Sequence, residues 1–235
     1  MADPVVIISG ASRGVGRATA VELAGRGCGV ALIARNAEEL SATADLCNRA
    51  GGRVLTVAGD ITDEPTLGRL VQEAVDRFGR IDGVVNNAGL APQAGVAETD
   101  AELFRRVIDV NLTAAMTLTR LAWPHLLRQG GCVVNVSSMA AIDPRPGFVA
   151  YSAAKAGLIG LTRALAREGD AHGVRSVAIV LGGVETTMFR GLSGVDHVPT
   201  QDLLTPDEVG RVIAECVAGP LAYSSGQSIF LRKRV

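Results

Sequence analysis

Aromatic side chains are scarce in this chain: Phe, Trp and Tyr together make up 3% of its 235 residues, with one Trp and two Tyr. Stacked rings cannot carry the core, so it is expected to be Val, Leu, Ile and Ala. Charge of one sign is also missing. The formal net charge is −1, which leaves no electrostatic case for nucleic acid or an anionic membrane as partner. No uncharged apolar run approaches the roughly 18 residues of a membrane helix. The opening Met-Ala-Asp-Pro lacks the basic segment and the following apolar stretch of about 7–15 residues that a secretory leader needs. The four cysteines, Cys28, Cys47, Cys132 and Cys216, show no CxxC spacing. A reduced, cytoplasmic setting with no metal site is the expectation. Lysine is nearly absent: of 23 Lys and Arg side chains only Lys155 and Lys233 are lysine. A single Lys in the body of an Arg-rich chain asks for a specific role.

Glycine, by contrast, is plentiful at 28 residues, and short β-branched runs alternate with longer helical patterns. Strands are expected at Val5–Ser9, Gly29–Ala34, Arg53–Ala58, Asp82–Asn86, Cys132–Val136, Val174–Val180 and Ser228–Leu231. They are continuous apolar runs, as parallel strands buried on both faces require. Helices are expected near 14–26, 37–50, 64–78, 100–129, 151–169 and 206–218. Thr62 with Pro65, Thr99-Asp100 and Thr205-Pro206-Asp207-Glu208 are start signals, and Gly27, Gly51, Gly79 and Gly130 stop signals. This βαβα order predicts the α/β class: a single doubly wound parallel sheet of about seven strands with helices on both faces. No linker, repeat or charge block divides residues 1–235, so one domain is expected. Its least regular piece, Gly191–Gln201, reads as a substrate loop within about 187–205.

After the first strand comes Ser9-Gly10-Ala11-Ser12-Arg13-Gly14-Val15-Gly16, running into a helix. Gly10, Gly14 and Gly16 permit a tight turn and close backbone approach. Ser12, Arg13 and Val15 then lie beside a helix N-terminus whose free N–H groups and dipole suit a pyrophosphate. The spacing GxxxGxG after a first strand predicts dinucleotide binding. Strand two ends in Ala34-Arg35, with no carboxylate to accept hydrogen bonds from an adenosine 2′-hydroxyl. Arg35 and Arg13 instead suit a 2′-phosphate, which selects NADP(H).

Tyr151 and Lys155 stand four residues apart at the start of a helical segment, so phenol and ammonium share a face. A nearby cation lowers a phenol's pKa from ~10, which makes it a usable acid for a carbonyl that accepts a hydride. Strand five ends in Ser137-Ser138, at the sheet edge where ligands of open α/β sheets bind, and Ser138 can donate to a developing oxyanion.

Together these motifs resemble the short-chain dehydrogenase/reductase family over nearly the whole chain. The match includes the glycine loop, Asp60-Ile61 after strand three, Asn86-Asn87-Ala88-Gly89 after strand four, Asn111 in Asp-Val-Asn-Leu-Thr, Ser138, Tyr151 and Lys155. The resemblance implies a Rossmann sheet, Tyr151 as general acid and Ser138 as the group that orients the carbonyl. It implies that Lys155 holds the nicotinamide ribose and that Asn111 supports a water relaying protons to it. Asp60 and Ile61 would contact adenine. Asn87 and Gly89 would support the coenzyme, and Val184 and Thr186 its carboxamide. In texture the chain is similar to bacterial 3-oxoacyl-carrier-protein reductases, which implies an NADPH-dependent ketoreductase acting on a ketone or an acyl thioester. Two other readings stay open: an NAD-dependent secondary-alcohol dehydrogenase and a non-catalytic cofactor-sensing regulator.

The chain departs from the family's pattern in places. Val177 and Leu181 stand where Asn and Pro are usual, and the tail Phe230–Val235 replaces an acid and paired glycines. A homodimer through helices 100–129 and 151–169 is expected, with a homotetramer as the other assembly. Leu90, Met139, Ile142, Phe148, Met188 and Phe189 are expected to make the substrate pocket mainly apolar.

Overall fold

The structure, a computed structural model, describes residues 3–219, 221 and 225–233. Seven parallel strands form one sheet in the order β3-β2-β1-β4-β5-β6-β7. They are β1 (Val5–Ser9), β2 (Gly29–Ala34), β3 (Arg53–Ala58), β4 (Gly83–Asn86), β5 (Cys132–Ser138), β6 (Arg175–Leu181) and β7 (Gln227–Leu231). The order reverses between β1 and β4, so crossovers before and after that point lie on opposite faces. They leave a crevice at the carboxyl ends. β1 and β2 are buried at every position, as continuous apolar runs predict. The edge strands β3 and β7 are largely half-exposed, because each has a neighbour on one side only.

The main helices are α1 (Gly14–Gly25), α2 (Ala37–Arg49), α3 (Glu64–Phe78), α4 (Ala101–Ile108), α5 (Ala114–Gln129), α6 (Val149–Gly169), the short α7 (Thr187–Arg190) and α8 (Pro206–Ala218). Two cores sandwich the sheet. One joins Ile8, Val30, Leu32 and Val134 to Leu23 of α1 and Ile213 of α8. The other joins Ile7, Ile33 and Val84 to Leu70 of α3 and Leu118 of α5. Aliphatic side chains fill both, as the shortage of rings requires.

Local chemistry corrects several boundaries. Asp63 rather than Thr62 caps α3, its carboxylate accepting the Thr66 N–H at 3.0 Å. Asp100 caps α4 in the same way at 2.8 Å. The Thr205 capping box at α8 is as expected. β5 runs two residues past its expected end, through Ser138, because it pairs there with Leu181 of β6. The expected single helix over 100–129 is instead two helices joined by a π-type turn, Asp109–Thr113. At that turn Asn111 Nδ2 donates to the Val107 and Leu90 carbonyls, both at 2.9 Å. Nor is the expected loop structureless: α7 and a 3₁₀ turn at Thr200–Asp202 lie within it.

All four cysteines are buried and free. Burial pushes the Cys47 and Cys132 thiols up to about 11. No helix among the described residues is long and apolar enough to cross a membrane.

Candidate active site

The carboxyl edge of the sheet opens into a cleft of about 1400 Å³. At its β1 end the glycine loop is held open by Ser9 and Asn87. Asn87 Nδ2 donates to the carbonyls of Ser9 at 3.0 Å and Gly10 at 3.2 Å. The backbone N–H groups of Asn87 and Ala88 both donate to Ser9 Oγ at 3.1 Å. Gly10 sits at φ +66°, where an added Cβ would stand 2.8 Å from Ala88 Cα, so the close strand–loop approach admits glycine alone. Gly10, Ser12, Arg13, Gly14 and Val15 face the cleft. Gly16, expected beside them, does not line it. It packs behind the loop against Gly10 and Asn87 instead. Asn87 therefore acts on this loop's own backbone.

Beyond the carboxyl ends of β2 and β3 the cleft is lined by Arg35, Asp60 and Ile61, joined by Glu39. The Asp60 carboxyl is held below its ordinary range, first by the Thr62 backbone N–H at 2.9 Å and also by the nearby Arg35 charge. No group of three His, Cys, Asp or Glu among the described residues is placed to hold a metal ion.

At the other end the four expected catalytic residues converge. Ser138 closes β5, and Tyr151 and Lys155 lie in the first two turns of α6. α6 is stitched to β5 at two levels: Ser137 Oγ donates to the Lys155 carbonyl at 2.8 Å, and Asn135 Nδ2 donates to Thr162 Oγ1 at 2.9 Å. The ammonium of Lys155 lies 5.5 Å from the Tyr151 ring centroid and donates to the Val136 carbonyl at 2.8 Å. Asn111 Oδ1 accepts the Leu90 N–H at 3.3 Å, which fixes the loop after β4. A Cβ added at Gly89 would stand 2.6 Å from Asn111 Oδ1 and 3.5 Å from Lys155 Nζ. Amide, ammonium and glycine thus share one small space.

The electrostatics differ from expectation at one point. Burial pushes the Tyr151 phenol up, with the Ser138 hydroxyl pulling it partly back. The expected lowering by the ammonium is not what governs it, because loss of water around the ring outweighs the other influences. Burial also lowers Lys155 to about 8.

Val184 and Thr186 line the cleft just before α7, and Leu90, Met139, Phe148, Met188 and Phe189 line it as well. Ile142, expected among them, does not line the cleft and is 56% exposed. Sequence reasoning missed the polar lining from Gln93, Asp143, Arg145, Asp202, Arg232 and Lys233. No motif marks them, since they come from separate loops and the tail. Lys233 also pairs with Glu208 at 2.7 Å, which ties the segment after β7 to α8. The rest of the departing tail, Arg234 and Val235, lies outside the described residues.

The sequence that builds this site is matched by a family model. Residues 4–194 fit the short chain dehydrogenase model. The chain belongs to the short-chain dehydrogenase/reductase family. As a member it is an oxidoreductase acting on the CH–OH/C=O pair with a nicotinamide coenzyme. Among its curated relatives is a 3-oxoacyl-[acyl-carrier-protein] reductase of Thermotoga maritima, 32% identical over 232 residues, which span 96% of this chain and 94% of that one. A cis-4-hydroxycyclohexanecarboxylate dehydrogenase of Sinomonas cyclohexanicum is 37% identical over 233 residues, 96% of this chain and 93% of that one. Carveol dehydrogenase from Mycobacterium avium, solved in complex with NAD, superposes with a TM-score of 0.91 at 28% identity, covering 98% of this chain and 96% of that one. This short-chain dehydrogenase thus shares its fold with relatives whose names span acyl-carrier and alicyclic substrates.

Proposed function

We propose that the chain is an NADPH-dependent carbonyl reductase in which Tyr151 gives the proton to the ketone oxygen. The observation that carries this reading is the convergence of Ser138, Tyr151, Lys155 and Asn111 at one end of the cleft whose other end is the glycine loop. A cradle formed by Gly10 at positive φ and the N-terminus of α1, which no side chain caps, fits a dinucleotide pyrophosphate. The bound coenzyme supplies the hydride. The protein's part is to hold and move the proton. Ser138 orients the carbonyl through its hydroxyl, and Tyr151 passes the phenolic proton to the carbonyl oxygen. Lys155, buried and charged below pH about 8, offers donors to a ribose hydroxyl.

Arg13 and Arg35 at the adenosine end support NADP(H), as does the absence of a carboxylate at Ala34. Glu39, lining the same end, supports the other coenzyme reading, in which an NAD-dependent alcohol dehydrogenase uses that carboxylate on ribose hydroxyls. The relatives' names support ketone substrates of two kinds, carrier-borne 3-oxoacyl thioesters and compact cyclic ketones. Assembly as a homodimer through α4, α5 and α6 belongs to the same reading, supported by exposed Phe104, Met116 and Val149 on those helices.

The test is coenzyme consumption across acetoacetyl thioesters, cyclic ketones, diketones and steroids, with NADPH and NADH in parallel. Wild type turns over at least one ketone faster with NADPH. Tyr151→Phe abolishes that turnover while NADPH affinity stays within a few-fold. Turnover retained in Tyr151→Phe removes the phenol from the acid role. A chain that binds NADPH yet reduces nothing is a cofactor-sensing protein.

A further inference from the structure

We propose that Gln93 is a specificity-determining residue of the carbonyl site: its side chain clasps a roof over the reacting centre that fits compact ketones and obstructs long acyl chains. The inference rests on the reductase reading and narrows its substrate class. β4 and β6 are not neighbours in the sheet, since β5 lies between them. Strands are about 4.8 Å apart, so loops leaving β4 and β6 are separated by roughly two strand spacings and meet only by crossing the end of β5. Ser138 stands at that end.

The two loops do meet. Gln93, in the loop after β4, accepts the Ser193 backbone N–H on Oε1 at 2.5 Å. Its Nε2 lies 3.5 Å from the Ser193 carbonyl, a weak second bond. One carboxamide thus engages both polar backbone groups of a single residue on the far wall, as only an acceptor–donor side chain can. Both residues line the cleft. Among the described residues, no other hydrogen bond joins the loop after β4 to segment 187–202.

Each side of the clasp is stiff on its own. Next to Gln93, the Ala94 N–H donates to the Gly147 carbonyl at 2.8 Å, and Ala94 makes an isolated bridge with Phe148. On the other side Arg190 donates to Glu185 at 2.9 Å, to the Val198 carbonyl at 2.8 Å and to Thr200 Oγ1 at 3.1 Å. Two preformed walls are therefore joined through one side chain. A ring-shaped or short ketone reaches Ser138 and Tyr151 beneath this bridge. A long chain leading out to a carrier has to pass where the bridge stands, and the clasp must open first.

The experiment compares wild type, Gln93→Ala and Gln93→Glu, each with NADPH. Glutamate keeps the acceptor for the Ser193 N–H and is the conservative rescue. The substrates are a cyclic ketone and a long-chain 3-oxoacyl thioester. In Gln93→Ala, kcat/KM for the thioester relative to the cyclic ketone rises at least tenfold, through KM. The kcat on the cyclic ketone and the NADPH affinity stay within about twofold, and Gln93→Glu keeps the wild-type ratio. Hydrogen–deuterium exchange of the peptide containing Ser193 speeds up about tenfold in Gln93→Ala but not in Gln93→Glu. Faster exchange with an unchanged substrate ratio overturns the specificity role, and unchanged exchange overturns the clasp. A wild type that reduces neither substrate class defeats the reductase reading and the specificity role with it, while the exchange result still reads the clasp.

Discussion

The Lys155 ammonium donates to the Val136 carbonyl at 2.8 Å, so the cation facing the Tyr151 ring is anchored by β5 rather than by the phenol beside it. The ammonium therefore keeps its place whether or not the phenol is ionised. It is 4% exposed, and burial lowers it to about 8.

Coenzyme affinity should follow this group. Below pH about 8 the ammonium is charged and donates; above it the neutral amine holds a ribose more weakly. NADPH affinity, measured by fluorescence between pH 7 and 10, falls as pH rises through about 8. Lys155→Met binds more weakly at low pH and loses the inflection. The same shift bears on stability. The folded value lies below the ordinary 10.5, so the folded chain holds fewer protons across that window and this contribution makes it more stable as pH rises from about 8 to 10.5. An inflection that persists in Lys155→Met assigns the titration to another group.

Arg13 and Arg35 should set coenzyme choice. Either Arg→Ala change weakens NADPH by tenfold or more and NADH by less than about threefold, since each lost charge-assisted bond is worth ~1.5–3 kcal/mol. Isothermal titration with both coenzymes reads this directly. Equal losses for the two would end the 2′-phosphate assignment.

A buried polar chain beneath the site should carry stability. Asn86 Nδ2 donates to Thr119 Oγ1 at 3.0 Å and to Asn135 Oδ1 at 2.8 Å, and Asn135 Nδ2 continues to Thr162 Oγ1 at 2.9 Å. It links α5, β4, β5 and α6, and leaves Asn86 Oδ1 as a buried acceptor with no hydrogen-bond partner. Asn135→Ala leaves Asn86 and Thr162 short of a partner in the interior, at a cost of about 2–4 kcal/mol. Urea unfolding gives that figure as a lower midpoint. A loss under about 0.5 kcal/mol would mean that the neighbours re-pair on their own.

Much of the architecture is legible in the sequence because each step is local. Continuous apolar runs mark strands covered on both faces. The glycine loop and the Thr205-Pro206 start signal state their own backbone geometry, and Tyr151 and Lys155 share a face by helical periodicity alone. The π-type turn was hidden, because Asp109–Thr113 holds no Gly or Pro to mark a break in the helix. What sets the turn apart is Asn111 reaching the Leu90 carbonyl, 21 residues earlier in the chain. Ile142 was misplaced for the converse reason: its apolar character is local, whereas its exposure depends on a turn that points it away from the cleft.

The amino-acid order by itself determined the sheet, the glycine loop and the pairing of Tyr151 with Lys155 on one helix face, since these follow from spacing along one segment. Three things were decided only by tertiary structure: that burial, not the ammonium, governs the phenol; that Gln93 meets Ser193; and that the charged tail borders the cleft. Each depends on groups distant in the chain being brought within a few ångströms, where desolvation and hydrogen bonding act.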